Sequence, residues 1–535
     1  MEEHHHDTPF VSRTCLSRLR KCIGSESLLM PAQKDSIAIT KGNSLASPSQ
    51  AQGRGLRLLA LIVLALALIS PVWMVEYVPL VDYPDHLARA FILSHLDDPA
   101  YKYSDSYEAD WGPYPYVALD LSLISAMKLF PVEVAGKVVL SMILLILPIC
   151  CAFFSHKIGG DALHTGVWAA IVSISGYFLL GFVTMHLSFA LAFLALGLWS
   201  SLEKYPNPRR WFAVLAAVSA SYFAHLLGFV LAGTSITLAC LFARKPLRHL
   251  VFSWLLFVPA GLCYIYSRMT HPNALSLIEW RGLTEKVLGL ASVVRGYSTP
   301  LDFITIFAAA AVVVIGAWRN PDFRVNRPWA AVAVALFVLY WIFPKTYASG
   351  ADADRRLLPF TALLLISSLR FGARTRYLMV AATLLLAVRV ADTHVNFQQL
   401  QPEQQMMARS IDAIPRDARV LPIVELMDRR HLLRTPHEFW SYGVIRRGWF
   451  SPYIFDDPGV HALRIKPVYA PKGFGSFRYR EQIDWQQVNS QYGYIWAYNV
   501  RSMEPEISRI GTLVFREGNL DVFRTRRAYA PESHR

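Results

Sequence analysis

The sequence Leu56-Arg-Leu-Leu-Ala-Leu-Ile-Val-Leu-Ala-Leu-Ala-Leu-Ile-Ser-Pro-Val-Trp73 is an apolar run with one arginine near its start. A helix of about 20 residues crosses the ~30 Å hydrocarbon core of a bilayer, and similar runs recur as far as His394. Only 17% of the residues are charged and the mean hydropathy is +0.31, whereas soluble domains carry about 25% charged residues. The sequence therefore predicts an α-helical polytopic membrane protein with about eleven transmembrane helices.

The charge and cysteine content exclude several classes of protein. The net charge is +14, but the basic residues lie mostly in short loops between apolar runs, which is the pattern of topology signals. The six cysteines all lie in the N-terminal tail or in apolar runs, and their spacing fits neither a disulfide framework nor a metal knuckle. We therefore expect the lipid bilayer as a partner, and we expect no nucleic acid, no metal and no cofactor.

The charge of each loop predicts its side of the membrane. Residues 1–54 lack a continuous apolar stretch and are predicted to be a disordered cytoplasmic tail, because the basic residues before the first run hold it inside. The loop 75–131 is acidic and is expected outside, with a surface helix at 116–130. Basic loops then alternate, so residues 55–394 form the transmembrane region and residues 395–535 lie outside. This corresponds to a bacterial inner-membrane protein with a periplasmic C-terminal domain.

Residues 395–535 are predicted to be a small α/β domain. A helix is expected at 401–414, and strands are expected at 419–425, 492–499, 511–515 and 520–524. Gly518 and Asn519 mark a turn, so the last two strands are expected to form a terminal hairpin. The stretch 437–453 is dense in aromatic residues and arginine. Such a stretch can stack on sugar rings, sit at the level of the lipid headgroups or form the core of a small domain. The sequence leaves these alternatives open.

The stretch Pro79-Leu-Val-Asp-Tyr-Pro-Asp-His-Leu-Ala-Arg89 follows the first apolar run. A helix beginning near Pro84 would place Asp82 at its N-cap in extended backbone and His86 in its first turn. Asp82, Asp85 and His86 are candidate catalytic residues, because a carboxylate beside an imidazole suits the deprotonation of a hydroxyl or amine. The carboxylate is expected to keep His86 protonated, and Arg89 suits an anionic phosphate. The alternative is an ordinary capped helix start.

A second cluster of charges lies in a predicted outer loop. Lys345, Arg355 and Arg356 are candidates for binding a phosphate group, for which arginine is a good bidentate ligand. Asp352-Ala-Asp354 has the spacing of a carboxylate pair that binds a divalent metal, but two carboxylates are weak support for such a site. The alternative role for both arginines is anchoring at the lipid headgroups.

Two histidines lie in turns between short paired apolar runs. His186 and His225 are candidate substrate-binding residues, because polar groups at membrane depth are costly and often functional. The alternative is that each histidine caps a helix end or bonds a carbonyl group. If both are functional, they should lie near the same cavity as Asp82.

The order of these features resembles the GT-C membrane glycosyltransferases, in particular the bacterial aminoarabinose transferases and the protein O-mannosyltransferases. The resemblance rests on the aspartate that opens the first outer loop and on Tyr114-Pro-Tyr-Val through Leu129-Phe-Pro-Val, which is similar to the surface helix of that family. Asp82-Tyr-Pro-Asp85-His86 stands where the family has an Asp-Glu pair. The resemblance implies a polyprenyl-phosphate-linked sugar donor and chemistry on the outer face.

In this interpretation Asp82 is the base, His86 supports it, and Arg355 and Arg356 hold the phosphate of the donor, while the acceptor is an envelope glycan, lipid or protein. Two alternatives belong to other classes. One is a non-enzymatic membrane component of a polysaccharide assembly or export system, and the other is a transporter. Secondary transport predicts duplicated halves with matching broken helices, and the two halves of this chain differ from each other.

Overall fold

The computed structural model describes residues 48–272, 278–346, 352–372, 376–425, 429–435, 437–469 and 483–526. Residues 60–535 form one compact unit. The predicted disordered tail falls mostly outside the described residues. Its last seven residues are an exception, because the first helix already begins at Pro48.

The described residues are mostly helical, as the recurrent apolar runs predict. The helices of the N-terminal half are α1 Pro48–Trp73, α2 Tyr83–Ser94, α3 Tyr103–Ser106, α4 Val117–Met127, α5 Val132–Lys157, α6 Ala162–Ser173, α7 Gly176–Leu179, α8 Val183–Lys204, α9 Pro208–Ala224, α10 Leu226–Phe242, α11 Leu247–Leu255 and α12 Val258–Thr270. Those of the C-terminal half are α13 Leu283–Gly289, α14 Thr299–Arg319, α15 Arg327–Ile342, α16 Leu357–Ser367, α17 Arg376–Asp412, α18 Ser441–Arg447, α19 Trp485–Gln491 and α20 Glu504–Ile510.

Among the described residues, five helical segments are long and apolar enough to cross a membrane. They are α5, α6 together with α7, α8, α14 and α17 from Tyr377 onward. The span predicted at about 251–266 falls on α11 and α12, which together are long and apolar enough to cross a membrane but meet at a bend of 57°. Pro259 lies in the first turn of α12, where its missing N–H cannot continue the hydrogen bonding of α11. Shorter helices lie at the other predicted spans, so the number eleven stays a prediction.

The strands lie mainly in the C-terminal part of the chain. They are β1 Tyr107–Ala109, β2 Arg324–Val325, β3 Leu369–Arg370, β4 Val420–Val424, β5 Leu463–Ile465, β6 Tyr494–Tyr498, β7 Gly511–Glu517 and β8 Leu520–Thr525. Four of them form a sheet in the order β4-β6-β8-β7, in which β4 and β6 are parallel and β7 and β8 form the expected terminal hairpin. The fold of this part therefore mixes helices and strands as predicted.

Two features join the C-terminal part to the rest of the chain. Strand β1 in the first outer loop pairs antiparallel with β5, so that loop and the C-terminal part share a small sheet. The predicted domain boundary between residues 394 and 395 lies inside α17, which continues without interruption to Asp412. The stretch 437–453 contributes Phe439, Trp440, Tyr442 and Trp449 to the buried core, which favours the core interpretation of its aromatic residues.

Candidate active site

The backbone before α2 is held against the turn that follows α7. The Val81 N–H donates to the Leu179 carbonyl and the Asp82 N–H donates to the Leu180 carbonyl, each at 3.1 Å. Gly181 has a φ of +87°, and a Cβ atom there would lie 2.6 Å from the Asp82 nitrogen. A side chain at position 181 would therefore displace Asp82, so glycine is needed here for the turn to hold the backbone of Asp82 in place.

Asp82 is the N-cap residue of α2, as the sequence predicts, but its backbone is not extended. Its φ and ψ are −89° and −8°, in the helical region, because the restriction imposed by Pro84 falls on Tyr83 rather than on Asp82. The side chain makes no capping bond to the helix. The Asp82 carboxylate therefore does not cap α2, which was the structural role that the alternative interpretation proposed.

The surroundings of Asp82 favour its neutral form. Burial and the nearby charge of Glu438 raise the pKa of Asp82 to about 7, although His437 and Arg356 act in the opposite direction. The residue is enclosed by protein but keeps partial access to solvent. A carboxylate whose pKa lies near neutral pH can both accept and release a proton under physiological conditions.

Asp85 has a different environment one helical turn further on. It is fully buried, and its carboxylate accepts a hydrogen bond of 2.9 Å from the Phe455 N–H and a long one of 3.5 Å from the Ser441 hydroxyl. Burial and the charge of Glu438 raise its pKa well above the usual range. Asp85 therefore anchors residues 441–455 to α2, which is a structural role.

His86 is neutral, contrary to the expectation that a carboxylate would keep it protonated. It is buried, with its ring centroid 5.1 Å from that of Phe455. Burial, then the positive charge of Arg89 and the electrostatic influence of His225, lower its pKa well below the usual value. No hydrogen-bond partner of its Nδ1 atom is found among the described residues. Burial is the largest of these effects, so the imidazole stays neutral.

Arg89 is paired inside the protein. It is fully buried, and its Nε and Nη2 atoms donate to Asp120 Oδ1 of α4 at 3.0 and 2.7 Å. Leaving either partner alone would cost several kcal/mol, because each charge is removed from water. The pair accounts for both residues by joining α2 to α4, and a role of Arg89 in binding a substrate stays a prediction.

Arg355 and Arg356 lie beside this site and have no carboxylate partner among the described residues. The guanidinium carbon of Arg356 is 4.4 Å from the ring centroid of Phe182, in the turn that supports Asp82. Arg355 donates to the Glu285 carbonyl at 3.0 Å and lines a small, partly open pocket together with Tyr177, Ser292, Arg295 and Asp352. Within the described part of the chain, the Nε atoms of both arginines are buried without an acceptor.

The other charges of this loop are paired. The Lys345 ammonium lies 2.9 Å from Glu279, so its charge is already compensated at the surface. Asp354 is fully buried between Arg281 at 3.2 Å and Lys286 at 2.8 Å, and Asp352 also pairs with Arg281. The two aspartates therefore hold cationic side chains, and the described residues contain no group of three metal-ligating side chains.

The two histidines have different environments. The His186 Nδ1 atom lies 3.1 Å from the Phe182 carbonyl. This contact matches the alternative in which the histidine only bonds a carbonyl group. The His225 Nδ1 atom accepts a bond of 3.0 Å from the Leu227 N–H, and its Nε2 atom lies 2.7 Å from the Tyr116 hydroxyl. His225 also contributes to the electrostatics of His86. The structure thus places His225 in the surroundings of the candidate base, while a role of His186 in binding a substrate stays a prediction.

Sequence reasoning missed three residues of this site, which are Glu438, His437 and Tyr116. Glu438 and His437 lie about 350 positions from Asp82, and no local pattern indicates that they approach it. Tyr116 was assigned only to a surface helix, although its left-handed backbone, with a φ of 74°, marks a specialised position.

No protein-family model matches the chain, and no curated protein matches it. The structure is similar to the crystal structure of ArnT from Cupriavidus metallidurans bound to undecaprenyl phosphate, with a TM-score of 0.52 and 11% identity. The apo structure of the same ArnT gives 0.54 and 10%. Each comparison covers 88% of this chain and 98% of ArnT. The chain therefore has the fold of ArnT, which agrees with the sequence resemblance.

Proposed function

We propose that this protein is a membrane glycosyltransferase that moves a sugar from a polyprenyl-phosphate-linked donor to an acceptor on the periplasmic face of the bacterial inner membrane. The acceptor is an envelope glycan, lipid or protein. The observation that carries this proposal is the position of Asp82, a partly accessible carboxylate with a pKa of about 7. It lies beside Arg355 and Arg356, which have no carboxylate partner among the described residues. The ArnT fold supports it.

Asp82 acts as the general base in this proposal. The acceptor hydroxyl or amine gives its proton to the Asp82 carboxylate as its oxygen or nitrogen attacks the anomeric carbon of the donor sugar. The bond between that carbon and the phosphate oxygen breaks, and the polyprenyl phosphate leaves with the electron pair. A pKa near 7 suits the step, because a base is most effective when its pKa lies close to the working pH.

Arg356 and Arg355 stabilise the leaving phosphate. Charge develops on the phosphate as the glycosidic bond breaks, and preorganised guanidinium groups lower the energy of that charge. Arg89 and Lys345 are weaker candidates, because Asp120 and Glu279 already compensate their charges. His86, held neutral, is suited to lining the site rather than to carrying a proton.

The proposal is tested by following the release of free polyprenyl phosphate. Membranes containing the protein are supplied with lipid-linked sugars extracted from the source cells, and free lipid phosphate is measured by mass spectrometry. We expect Asp82→Asn to abolish release at matched protein levels, and Asp85→Asn to retain it, because asparagine still accepts the Phe455 N–H. If the wild-type protein releases no lipid phosphate in this assay, or if both variants stay fully active, the glycosyltransferase proposal is wrong.

A further inference from the structure

Tyr116 occupies a backbone conformation that is rare for an aromatic residue. Its φ of 74° lies in the left-handed region, at the N-cap of α4, where L side chains other than those of Asn and Asp are uncommon. Such a residue persists only when its surroundings hold it, and residues of this kind cluster at functional sites. Its ring packs against those of His225 and His461, with centroids 4.5 and 5.3 Å apart.

The hydrogen bonds of His225 determine the direction of its bond to Tyr116. The backbone N–H of Leu227 donates to Nδ1 at 3.0 Å, so Nδ1 carries no hydrogen. In the neutral imidazole the hydrogen is then on Nε2, which donates to the Tyr116 hydroxyl oxygen at 2.7 Å. The Ser188 hydroxyl donates to the His225 carbonyl at 2.7 Å and holds the histidine backbone in place.

A positive charge acts on the same hydroxyl. Burial raises the pKa of Tyr116, and the charge of Arg356 is the largest effect that opposes this rise. The Tyr116 oxygen accepts the bond from His225, so the hydroxyl hydrogen points away from that histidine. This hydrogen has no acceptor among the described residues. Tyr116 is also only partly buried, which leaves that hydrogen open to a bound molecule.

We infer that the Tyr116 hydroxyl donates a hydrogen bond to a phosphate oxygen of the lipid-linked donor, next to Arg356. This inference rests on the proposed function and adds a neutral ligand to its phosphate site. An anionic oxygen fits the position better than a sugar hydroxyl, because the positive charge of Arg356 acts on the same hydroxyl and hydrogen bonds to a charged acceptor are the stronger ones.

The experiment measures binding of undecaprenyl phosphate to the purified full-length protein in detergent, for the wild type and for Tyr116→Phe. Phenylalanine keeps the ring and its packing and removes only the hydroxyl. Loss of one charge-assisted hydrogen bond corresponds to about a 10- to 100-fold rise in Kd. Tyr103→Phe is the matched control, because Tyr103 is buried in the same outer loop and its hydroxyl donates to the Val444 carbonyl at 2.6 Å, away from Arg356. The control should bind undecaprenyl phosphate as the wild type does.

The outcomes separate the inference from the proposed function. Weakened binding by Tyr116→Phe, with the control unaffected, supports the inference. If Tyr116→Phe binds as the wild type does while Arg356→Ala binds more weakly, the phosphate site stands and the role of Tyr116 is wrong. If Tyr116→Phe binds undecaprenyl phosphate normally but raises the KM for the lipid-linked sugar, the hydroxyl faces the sugar, which also overturns the inference. If the wild type does not bind undecaprenyl phosphate, the proposed function itself fails.

Discussion

Replacing Asp82 by asparagine should remove activity and, at the same time, stabilise the protein above neutral pH. A general base contributes about 10²- to 10⁴-fold to a rate, so transfer should fall by at least this factor. With a pKa of about 7, about a tenth of the wild-type Asp82 is ionised at pH 6. The kcat/KM of the wild type should therefore decrease about tenfold for each pH unit below 7, and this pH dependence should disappear in any residual activity of the variant.

The effect on stability follows from the same pKa. The pKa of Asp82 is higher in the folded protein than its ordinary value of 3.8, so folding favours the protonated form. The stability that this form contributes is present below about pH 4 and is lost as the pH rises through 7. The difference between the two pKa values corresponds to at most about 4 kcal/mol, and partial access of Asp82 to solvent reduces it to about 1–2 kcal/mol. Asparagine carries no charge and avoids this loss.

The assay combines thermal unfolding of the purified protein at pH 5 and pH 8 with the release of lipid phosphate from membranes. Asp82→Asn should unfold at a higher temperature than the wild type at pH 8, and the gap should narrow at pH 5. Asp85→Asn, which keeps its acceptor for Phe455, is the matched control for activity. An inactive Asp82→Asn protein that unfolds at a lower temperature than the wild type at both pH values would refute the reasoning, because misfolding would then explain the loss.

Three further predictions concern other parts of the molecule. Arg356→Ala and Arg355→Ala should each raise the Kd for undecaprenyl phosphate about 10- to 100-fold, measured with the purified protein; unchanged affinity in the double variant would exclude them as phosphate ligands. Arg89→Met should destabilise the protein by about 3–5 kcal/mol in thermal unfolding, because Asp120 is left buried without its partner, and Arg89→Met with Asp120→Leu should recover most of this loss. A cysteine in the exposed turn at Asn519 should react with a membrane-impermeant maleimide in intact spheroplasts, with the wild type as control; labelling only after lysis would place the C-terminal part in the cytoplasm.

Local signals in the sequence were enough to predict most helices and the start of α2. The apolar runs have the length and composition of helices in a membrane, and Pro84 at the first turn of α2 fixes where that helix begins. The hairpin of β7 and β8 was predicted from the turn residues Gly518 and Asn519. Each of these signals acts over a few residues, so one sequence is sufficient to read it.

The partners of charged residues could not be predicted in the same way. Arg89 and Arg356 look alike in the sequence, since each follows closely on aspartates, yet Arg89 is paired with Asp120 and Arg356 has no carboxylate partner among the described residues. Glu438, which raises the pKa of Asp82, approaches it only through the packing of the C-terminal part. The protonation state of His86 was wrongly predicted for this reason, because burial decides it and burial is a property of the whole fold.

Helix α17 has a mechanical consequence. Its 37 residues extend over about 56 Å, well beyond the thickness of the hydrocarbon core. One continuous helix therefore connects the apolar helices to the sheet of β4, β6, β7 and β8. Its weakest turn is near Pro402, and there Gln401 bonds the backbone of Glu76 and Tyr77. Because Gln401 ties this turn to the start of the first outer loop, α17 resists bending there, and a movement of the helix would also move the backbone of Glu76 and Tyr77, a few residues before Asp82.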